Sequence, residues 1–210
     1  PEGRFVRKPA NLTFEQAAAV PTSAFAALHG LRDAGKLRPG QKVLVNGASG
    51  GVGTFAVQIA KSFGADVTGV CSTRNADLVR SIGADRVIDY TREDFTRSGQ
   101  RYDLILDNVA NRSFSDCRRA LTPTGTLIPN SAHAGMGYIV AALVRSVFVR
   151  QQGRPFVSMP TDQDWVVLTE LIEAGKVRPV IDRTYRLSET PEALGYVGKG
   201  HARGKVVITI

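Results

Sequence analysis

Apolar positions along the chain follow two periods, one typical of strands and one typical of helices. Short runs rich in β-branched residues predict strands at 42–46, 66–71, 86–89, 103–107, 125–129 and 156–159. Helical spacing predicts helices between them, at about 51–63, 75–82, 112–120, 138–151 and 162–174. Regular alternation of the two is typical of a parallel sheet covered on both faces. We therefore expect an α/β fold with a doubly wound, six-stranded parallel Rossmann sheet.

The two ends of the chain fall outside this alternation. Residues 1–21 contain a basic extended lead-in and a short helix, for which Thr13 and Gln16 would form a capping box. The segments VRPVIDRTYRL, SETPEAL and KVVITI predict a strand–helix–strand tail. We divide the chain into a lead-in (1–33), a Rossmann domain (34–175) and a C-terminal segment (176–210), and expect both ends to pack on something else.

The segment Val43 to Gly53, VLVNGASGGVG, carries the most specific motif. It joins an apolar strand to an amphipathic helix with G-x-x-G-x-x-G spacing, which is typical of a dinucleotide phosphate site. The free N–H groups of such a helix N-terminus face the anion. A plain strand-to-helix turn uses the same residue types, but the second buried strand that follows favours cofactor binding. The candidates are Gly47, Ser49, Gly50, Gly51, Val52 and Gly53.

The same glycines also fit the spacing of short-chain dehydrogenases. Those enzymes need a Tyr-x-x-x-Lys pair for proton transfer. No tyrosine of this chain is followed by lysine four residues later, so we exclude that class.

Composition narrows the possible partners. The net charge is +8, but Lys and Arg are scattered without interleaved aromatics, which favours a solvated basic surface over a nucleic-acid site. The apolar stretch 138–149 is interrupted by Arg145 and is too short to span a bilayer, so we expect no membrane partner. We expect a buried or interface helix there instead, which could form a homodimer surface. The chain has two widely separated cysteines and shows no secretory signal, so we expect reduced thiols and a cytoplasmic protein.

The end of the second strand indicates which dinucleotide binds. NAD sites place Asp or Glu there, but this chain has Cys-Ser-Thr-Arg-Asn from residue 71. Ser72 and Arg74 suit a 2′-phosphate, which favours NADPH. The basic segment 198–205, which includes Lys205, either helps to hold this polyanion or forms an exposed turn. Residues after the fourth and fifth strands are candidates for the nicotinamide edge, although structural loop roles stay open: Asn108, Val109, Pro129 and Asn130.

A set of ordered motifs spans nearly the whole chain: AAAVPTSAFAALHGL, PGQKVLVNGASGGVG, VCSTRN, GADRVIDY, YDLILDNV, ELIEAGKVRPVIDRTYRL and GHARGKVVITI. They resemble the medium-chain dehydrogenase/reductase superfamily, in its zinc-independent quinone oxidoreductase branch and the reticulon-interacting type of NADPH oxidoreductase. The resemblance implies an N-terminal GroES-like domain that precedes this chain and carries most of the substrate pocket. The two orphan ends would return to that domain.

The resemblance also concerns individual positions. Thr22 stands where zinc-dependent relatives carry a zinc-binding cysteine, and Ala26 stands where many relatives carry a threonine near the nicotinamide. Tyr90 matches a tyrosine placed against the 2′-phosphate or adenine, although a strand-end aromatic is the alternative. No cluster of zinc ligands is evident among Cys71, Cys117, His29, His133 and His201, so we expect no metal.

Together these features predict an NADPH-dependent oxidoreductase that transfers hydride to a quinone or an activated enone without zinc. No proton donor can be assigned, so the catalytic residues are unknown. We expect this chain to be mainly the cofactor-binding part and to turn over poorly alone. Two alternatives stay open, an excised enoyl-reductase module of a synthase and a non-catalytic NADPH-binding subunit.

Overall fold

The structure, a computed structural model, describes residues 6–131 and 151–210. Its main sheet has six parallel strands in the order β3-β2-β1-β4-β5-β6. The strands are β1 (Lys42–Asn46), β2 (Asp66–Cys71), β3 (Arg86–Asp89), β4 (Tyr102–Asp107), β5 (Leu121–Pro129) and β6 (Gln152–Gly153). This order confirms the doubly wound fold. From β1 the strands are added first toward one edge of the sheet (β2, β3) and then toward the other (β4, β5, β6). In such sheets a ligand crevice forms at the carboxyl ends of the two strands where this order switches, here β1 and β4.

Helices cover both faces of the sheet. They are α1 (Phe14–Ala18), α2 (Pro21–Leu28), α3 (Gly51–Ser62), α4 (Ala76–Ser81), α5 (Phe114–Arg119), α6 (Asp162–Glu173) and α7 (Thr190–Gly198). Successive residues of β1 point to opposite faces, so Val43 and Val45 join the core beneath α2 and α3, while Leu44 joins the core beneath α5. Burial on both faces explains why the strands are continuous apolar runs.

The predicted sixth strand at 156–159 is wrong. The sixth strand is Gln152–Gly153, and residues 154–160 have no regular structure. Pro155 and Pro160 flank the predicted run and cannot donate to a strand ladder. Phe156 packs instead next to Gly30. The predicted helix at 138–151 lies almost wholly outside the described residues.

Residues 21–34 form an element that the sequence pattern did not predict. α2 continues without interruption into a π-helix over His29–Ala34. Ala24, Leu28 and Leu31 are fully buried in the same core as α3, so this segment packs on the Rossmann sheet. The capping box of Thr13 and Gln16 at the start of α1 is confirmed. The three-part division of the chain stays a prediction.

The tail has the predicted strand–helix–strand order. β7 (Ile181–Arg186) and β8 (Lys205–Thr209) pair in parallel as a separate two-stranded sheet, with α7 between them in sequence. Gly204, just before β8, forms an isolated bridge with Gly50. The tail therefore contacts the glycine turn directly. Within the described ranges, no helix has the length and apolar character needed to cross a bilayer.

Candidate functional site

A cleft of about 660 Å³ opens at the carboxyl ends of β1, β2 and β4. It is the site that the strand order predicts. The predicted cofactor residues that line it are Gly47, Ser49, Gly50, Gly51, Val52, Gly53, Ser72, Arg74, Tyr90, Asn108, Val109 and Asn130. The structure thus brings together residues from the ends of five separate strands. Their role in binding a cofactor stays a prediction.

The glycine turn is tightly packed against the first turn of α3. Gly47 has a φ of +76°, a region that favours glycine. A Cβ on Gly53 would lie 2.1 Å from the carbonyl oxygen of Gly47, so only glycine allows α3 to approach this closely. A Cβ on Gly47 would lie 2.8 Å from Val109 Cγ2. The turn therefore also sets how closely the loop after β4 approaches.

The N-terminus of α3 is open to the cleft. Gly50 is its N-cap residue and has extended backbone, and no side chain caps the helix. Gly51, Val52 and Gly53 follow in the first turn and line the cleft. First-turn N–H groups have no partner within a helix, so an anion in the cleft would satisfy them. The turn therefore fits a pyrophosphate.

One end of the cleft, which we call the cationic end, lies beside the carboxyl ends of β2 and β3. Ser72, Arg74 and Tyr90 line it. No Asp or Glu is found among the described lining residues. Asp89, at the end of β3, does not line the cleft and hydrogen-bonds Thr73 and Thr91 instead. These hydrogen bonds lower the pKa of Asp89, and the bond from the Thr73 side chain is the largest cause. The cationic end thus suits a phosphate better than a bare ribose hydroxyl pair.

The tail forms the outer wall of the cationic end. Gly200, His201 and Ala202 line the cleft, and Arg74 Nη2 donates to the carbonyl oxygen of His201 over 3.3 Å. The basic segment 198–205 is therefore not simply an exposed turn. Arg203 anchors it, because its Nη2 donates to the carbonyl oxygen of Arg74 over 3.0 Å.

The opposite end, which we call the amide end, is lined by neutral side chains at the ends of β1, β4 and β5. Asn46 Nδ2 donates to Asp107 Oδ1 over 2.9 Å, and Asn108 Nδ2 donates to the Asn46 carbonyl over 3.0 Å. Asn130 Nδ2 then donates to Asn108 Oδ1 over 2.7 Å. Asp107 is fully buried and also accepts from the backbone N–H groups of 109 and 110. These bonds hold the loop after β4 in place.

Two predicted cofactor residues are not among the described lining residues. Pro129 is buried at the end of β5. Lys205 is half-buried, and its Nζ donates to Ser23 Oγ over 2.8 Å. Burial lowers the pKa of Lys205. Its side chain lies 3.3 Å from the position of a Cβ on Gly51, so it lies beside the first turn of α3.

Sequence reasoning missed several lining residues: Asn46, Val70, Cys71, Asn75, Asn111 and Ser131. Asn46 had a usable signal, since it ends β1 directly before the glycine turn. Asn75 ends the Cys-Ser-Thr-Arg-Asn segment, in which Ser72 and Arg74 were predicted to bind the cofactor. Asn111 lies four residues beyond β4, and its amide oxygen meets Asn46 Nδ2 at 3.1 Å only because the loop folds back.

The described residues hold no group of three His, Cys, Asp or Glu side chains that could bind a metal. Cys71 and Cys117 are both buried and belong to different cores. Burial raises the pKa of Cys71 to about 11. His29 is buried, with Nδ1 2.8 Å from Ser158 Oγ and Nε2 3.1 Å from Asp164 Oδ2. His133 lies outside the described residues, and the absence of zinc stays a prediction.

Comparison with known proteins relates this site to a family. The family model described as "Zinc-binding dehydrogenase" matches residues 82–208. The chain is 36% identical to the mitochondrial NAD(P)H oxidoreductase RTN4IP1 of Mus musculus, covering 97% of the chain and 57% of that protein. It is 33% identical to the chloroplast envelope quinone oxidoreductase homolog of Arabidopsis thaliana, covering 97% of the chain and 64% of that protein. The chain thus spans less than two thirds of these relatives.

The solved structures agree. The quinone oxidoreductase from Coxiella burnetii superposes with a TM-score of 0.86 at 28% identity, covering 98% of this chain and 63% of that one. The family match extends over more than half of the chain and includes β3, β4, β5 and the tail. The chain belongs to the zinc-binding dehydrogenase family, within the medium-chain dehydrogenase/reductase superfamily.

Proposed function

We propose that the full-length protein is an NADPH-dependent oxidoreductase that transfers hydride to a quinone or an activated enone without zinc. The observation that carries the proposal is the cleft, in which an uncapped helix N-terminus lies between the cationic end and the amide end. Relatives named for reduction of quinones and of 2-methylene-furan-3-one, at 33% and 34% identity, support the substrate class.

In this proposal NADPH supplies the hydride, and the residues of this chain bind and orient it. The first turn of α3 holds the pyrophosphate. Arg74 and Ser72 hold the 2′-phosphate, with Tyr90 beside it or against the adenine. The amide end lies along the nicotinamide. Two residues act indirectly. Pro129 acts through its place at the end of β5, and Lys205 acts through its packing beside Gly51.

Zinc independence is the part of the proposal that the family name does not support. Its basis is Thr22, at the position of the zinc-binding cysteine in zinc-dependent relatives, together with the separate burial of both cysteines. Elemental analysis of the purified protein tests it. Close to one zinc per chain, retained after mild chelation, would overturn this part.

The central experiment compares this chain with the complete gene product. Both are titrated with NADPH and NADH and then assayed against a panel of quinones and enones. We expect both proteins to bind NADPH and only the complete product to turn over rapidly. Failure of both to bind either dinucleotide would overturn the proposal. Rapid quinone reduction by the 210-residue chain would contradict the assignment of the substrate pocket to a further domain.

An enoyl reductase is the second candidate. The JamJ enoyl reductase superposes with a TM-score of 0.83 at 27% identity, covering 97% of this chain and 65% of that one. Assays with enoyl thioesters beside free quinones separate the two candidates. Turnover of enoyl thioesters alone would favour the synthase module.

We also propose a cytoplasmic location and a homodimer. The dimer proposal rests on the apolar stretch 139–149, which lies outside the described residues. Fractionation of cells that produce the complete protein tests the location, and light scattering tests the dimer. A clean monomer would remove the dimer.

A further inference from the structure

Arg203, an exposed residue of the tail, is linked to the glycine turn through the buried side chain of Asn75. It lies in the loop between α7 and β8, and its Nε is 2.8 Å from Asn75 Oδ1. A guanidinium has only donors, so the amide atom that faces it must be the carbonyl oxygen. Arg203 therefore sets the orientation of the Asn75 amide.

The orientation of Asn75 in turn sets the hydrogen bond of Ser49. Asn75 is only 6% exposed, and its Nδ2 donates to Ser49 Oγ over 3.0 Å. Because this oxygen accepts from Asn75, the single hydrogen of the hydroxyl is directed elsewhere. In residues 6–131 and 151–210 no acceptor for that hydrogen is found. Ser49 lines the cleft within the glycine turn.

We propose that Arg203 is a positioning residue, which acts through Asn75 to present the Ser49 hydroxyl as a donor to a phosphate oxygen of the bound dinucleotide. The proposal rests on the proposed function. Without Arg203 the Asn75 amide can rotate by half a turn and offer its oxygen to Ser49. The Ser49 hydroxyl would then donate to Asn75, and the phosphate would lose a hydrogen bond.

The arrangement also gives the tail a role in cofactor binding. The backbone N–H of Arg203 donates to Asp182 Oδ2 over 2.9 Å, and Tyr196 Oη donates to the same oxygen over 2.7 Å. Gly204 N donates to the carbonyl oxygen of Ser49 over 2.9 Å. The backbone of the loop is thus held at Arg203 and at the residue that follows it. The tail therefore carries the donor that orients a residue more than a hundred positions earlier, since Arg203 and Asn75 are 128 residues apart.

The test is a double-mutant cycle on the 210-residue chain, read as dissociation constants for NADPH and NADH by calorimetry. The variants are Arg203→Met, Ser49→Ala and the double variant. We expect each single change to weaken NADPH binding by about three- to tenfold, the effect of one lost hydrogen bond. The double variant should bind no more than about twofold worse than the weaker single variant, because both changes remove the same contact.

Two further variants separate positioning from charge and from folding. Arg203→Lys keeps a donor, and we expect it to restore binding to within about twofold of wild type. Lys176→Met removes one positive charge from an exposed side chain that does not line the cleft, and we expect binding to stay within about twofold of wild type. Thermal melting of every variant reports any general loss of structure.

Comparison of the losses for NADPH and NADH shows which phosphate accepts from Ser49. Equal losses for NADPH and NADH place the Ser49 hydroxyl on the pyrophosphate, and a loss for NADPH alone places it on the 2′-phosphate. Both results support the proposal. Additive losses in the double variant, or wild-type binding by Ser49→Ala, would overturn it while leaving the proposed function intact. Absence of binding of either cofactor to the wild-type chain would overturn both.

Discussion

The two ends of the cleft are assembled in opposite ways. The cationic end joins residues far apart in the chain, such as Arg74 and His201, which are 127 positions apart. The amide end joins neighbouring strand ends, such as Asn108 and Asn130, which are 22 positions apart. The cationic end depends on the docking of the tail, whereas the amide end depends on the sheet.

The chemistry of the two ends differs as well. The cationic end offers a guanidinium and hydroxyls, so its contribution depends on the charge of what it meets. The amide end offers neutral groups that are already hydrogen-bonded to each other. We therefore expect the cationic end to discriminate between NADPH and NADH, and the amide end to affect both equally.

The largest effect is expected where the two ends meet, at Gly53. Gly53→Ala places a methyl group 2.1 Å from the carbonyl oxygen of Gly47, so α3 must move. We expect a loss of about 3 kcal/mol or more in the free energy of unfolding, and hence a fall in Tm of about 6–12 °C. Thermal melting measures it, and binding of both cofactors should be lost.

Gly50→Ala is the matched control for that prediction. A Cβ there meets nothing closer than 3.5 Å, so we expect Tm to change by less than about 4 °C. Equal melting temperatures for the two variants would show that α3 does not need its close approach to the turn.

Asp107→Ala tests whether the amide end depends on the sheet. The change leaves the Asn46 amide and the N–H groups of Val109 and Ala110 without the Asp107 Oδ1 acceptor. We expect a loss of about 2–4 kcal/mol in the free energy of unfolding, measured by denaturant titration. Asp77→Ala, on an exposed carboxylate that pairs with Arg80, should cost less than about 0.5 kcal/mol. Similar losses for both variants would contradict this account.

Arg74→Ala removes the guanidinium of the cationic end. A charge-assisted contact contributes about 1.5–3 kcal/mol, so NADPH binding should weaken by about ten- to a hundredfold while NADH binding barely changes. Calorimetry at fixed salt gives the constants. Arg80→Ala, on an exposed arginine that does not line the cleft, is the charge control and should leave both constants unchanged. Equal losses of NADPH and NADH binding in Arg74→Ala would assign Arg74 to the fold or to the adenine.

The smallest effect is expected at Asn130. Asn130→Ala removes the bond to Asn108 Oδ1 and leaves the loop after β4 otherwise held. We expect binding of NADPH and NADH to weaken by the same factor, about two- to fivefold, as for one neutral hydrogen bond. The same titrations measure it. A selective loss of NADPH binding would show that the two ends are not independent.

Much of this site was predictable because its signals are local. A glycine turn between an apolar strand and a helix depends on backbone geometry over a few residues, and the structure puts Gly47, Gly50 and Gly53 on the cleft. The absence of a carboxylate after β2 is likewise visible in the chain. The wrong prediction of a strand at 156–159 also came from local pattern. The apolar run resembles a strand, but it does not show that the prolines on both sides lack the N–H groups that a strand ladder needs.

The sequence by itself determined the parallel sheet, the position of the cleft and the residue types along its first two strands. Periodicity and turn chemistry act over short distances, so a single chain displays them. Only the tertiary structure decided that α2 packs on α3, that Asn46 lies against Asp107, and that Arg203 orients Asn75. Those contacts depend on the docking of segments separated by tens to more than a hundred residues. No local pattern records which distant donor will meet a given acceptor.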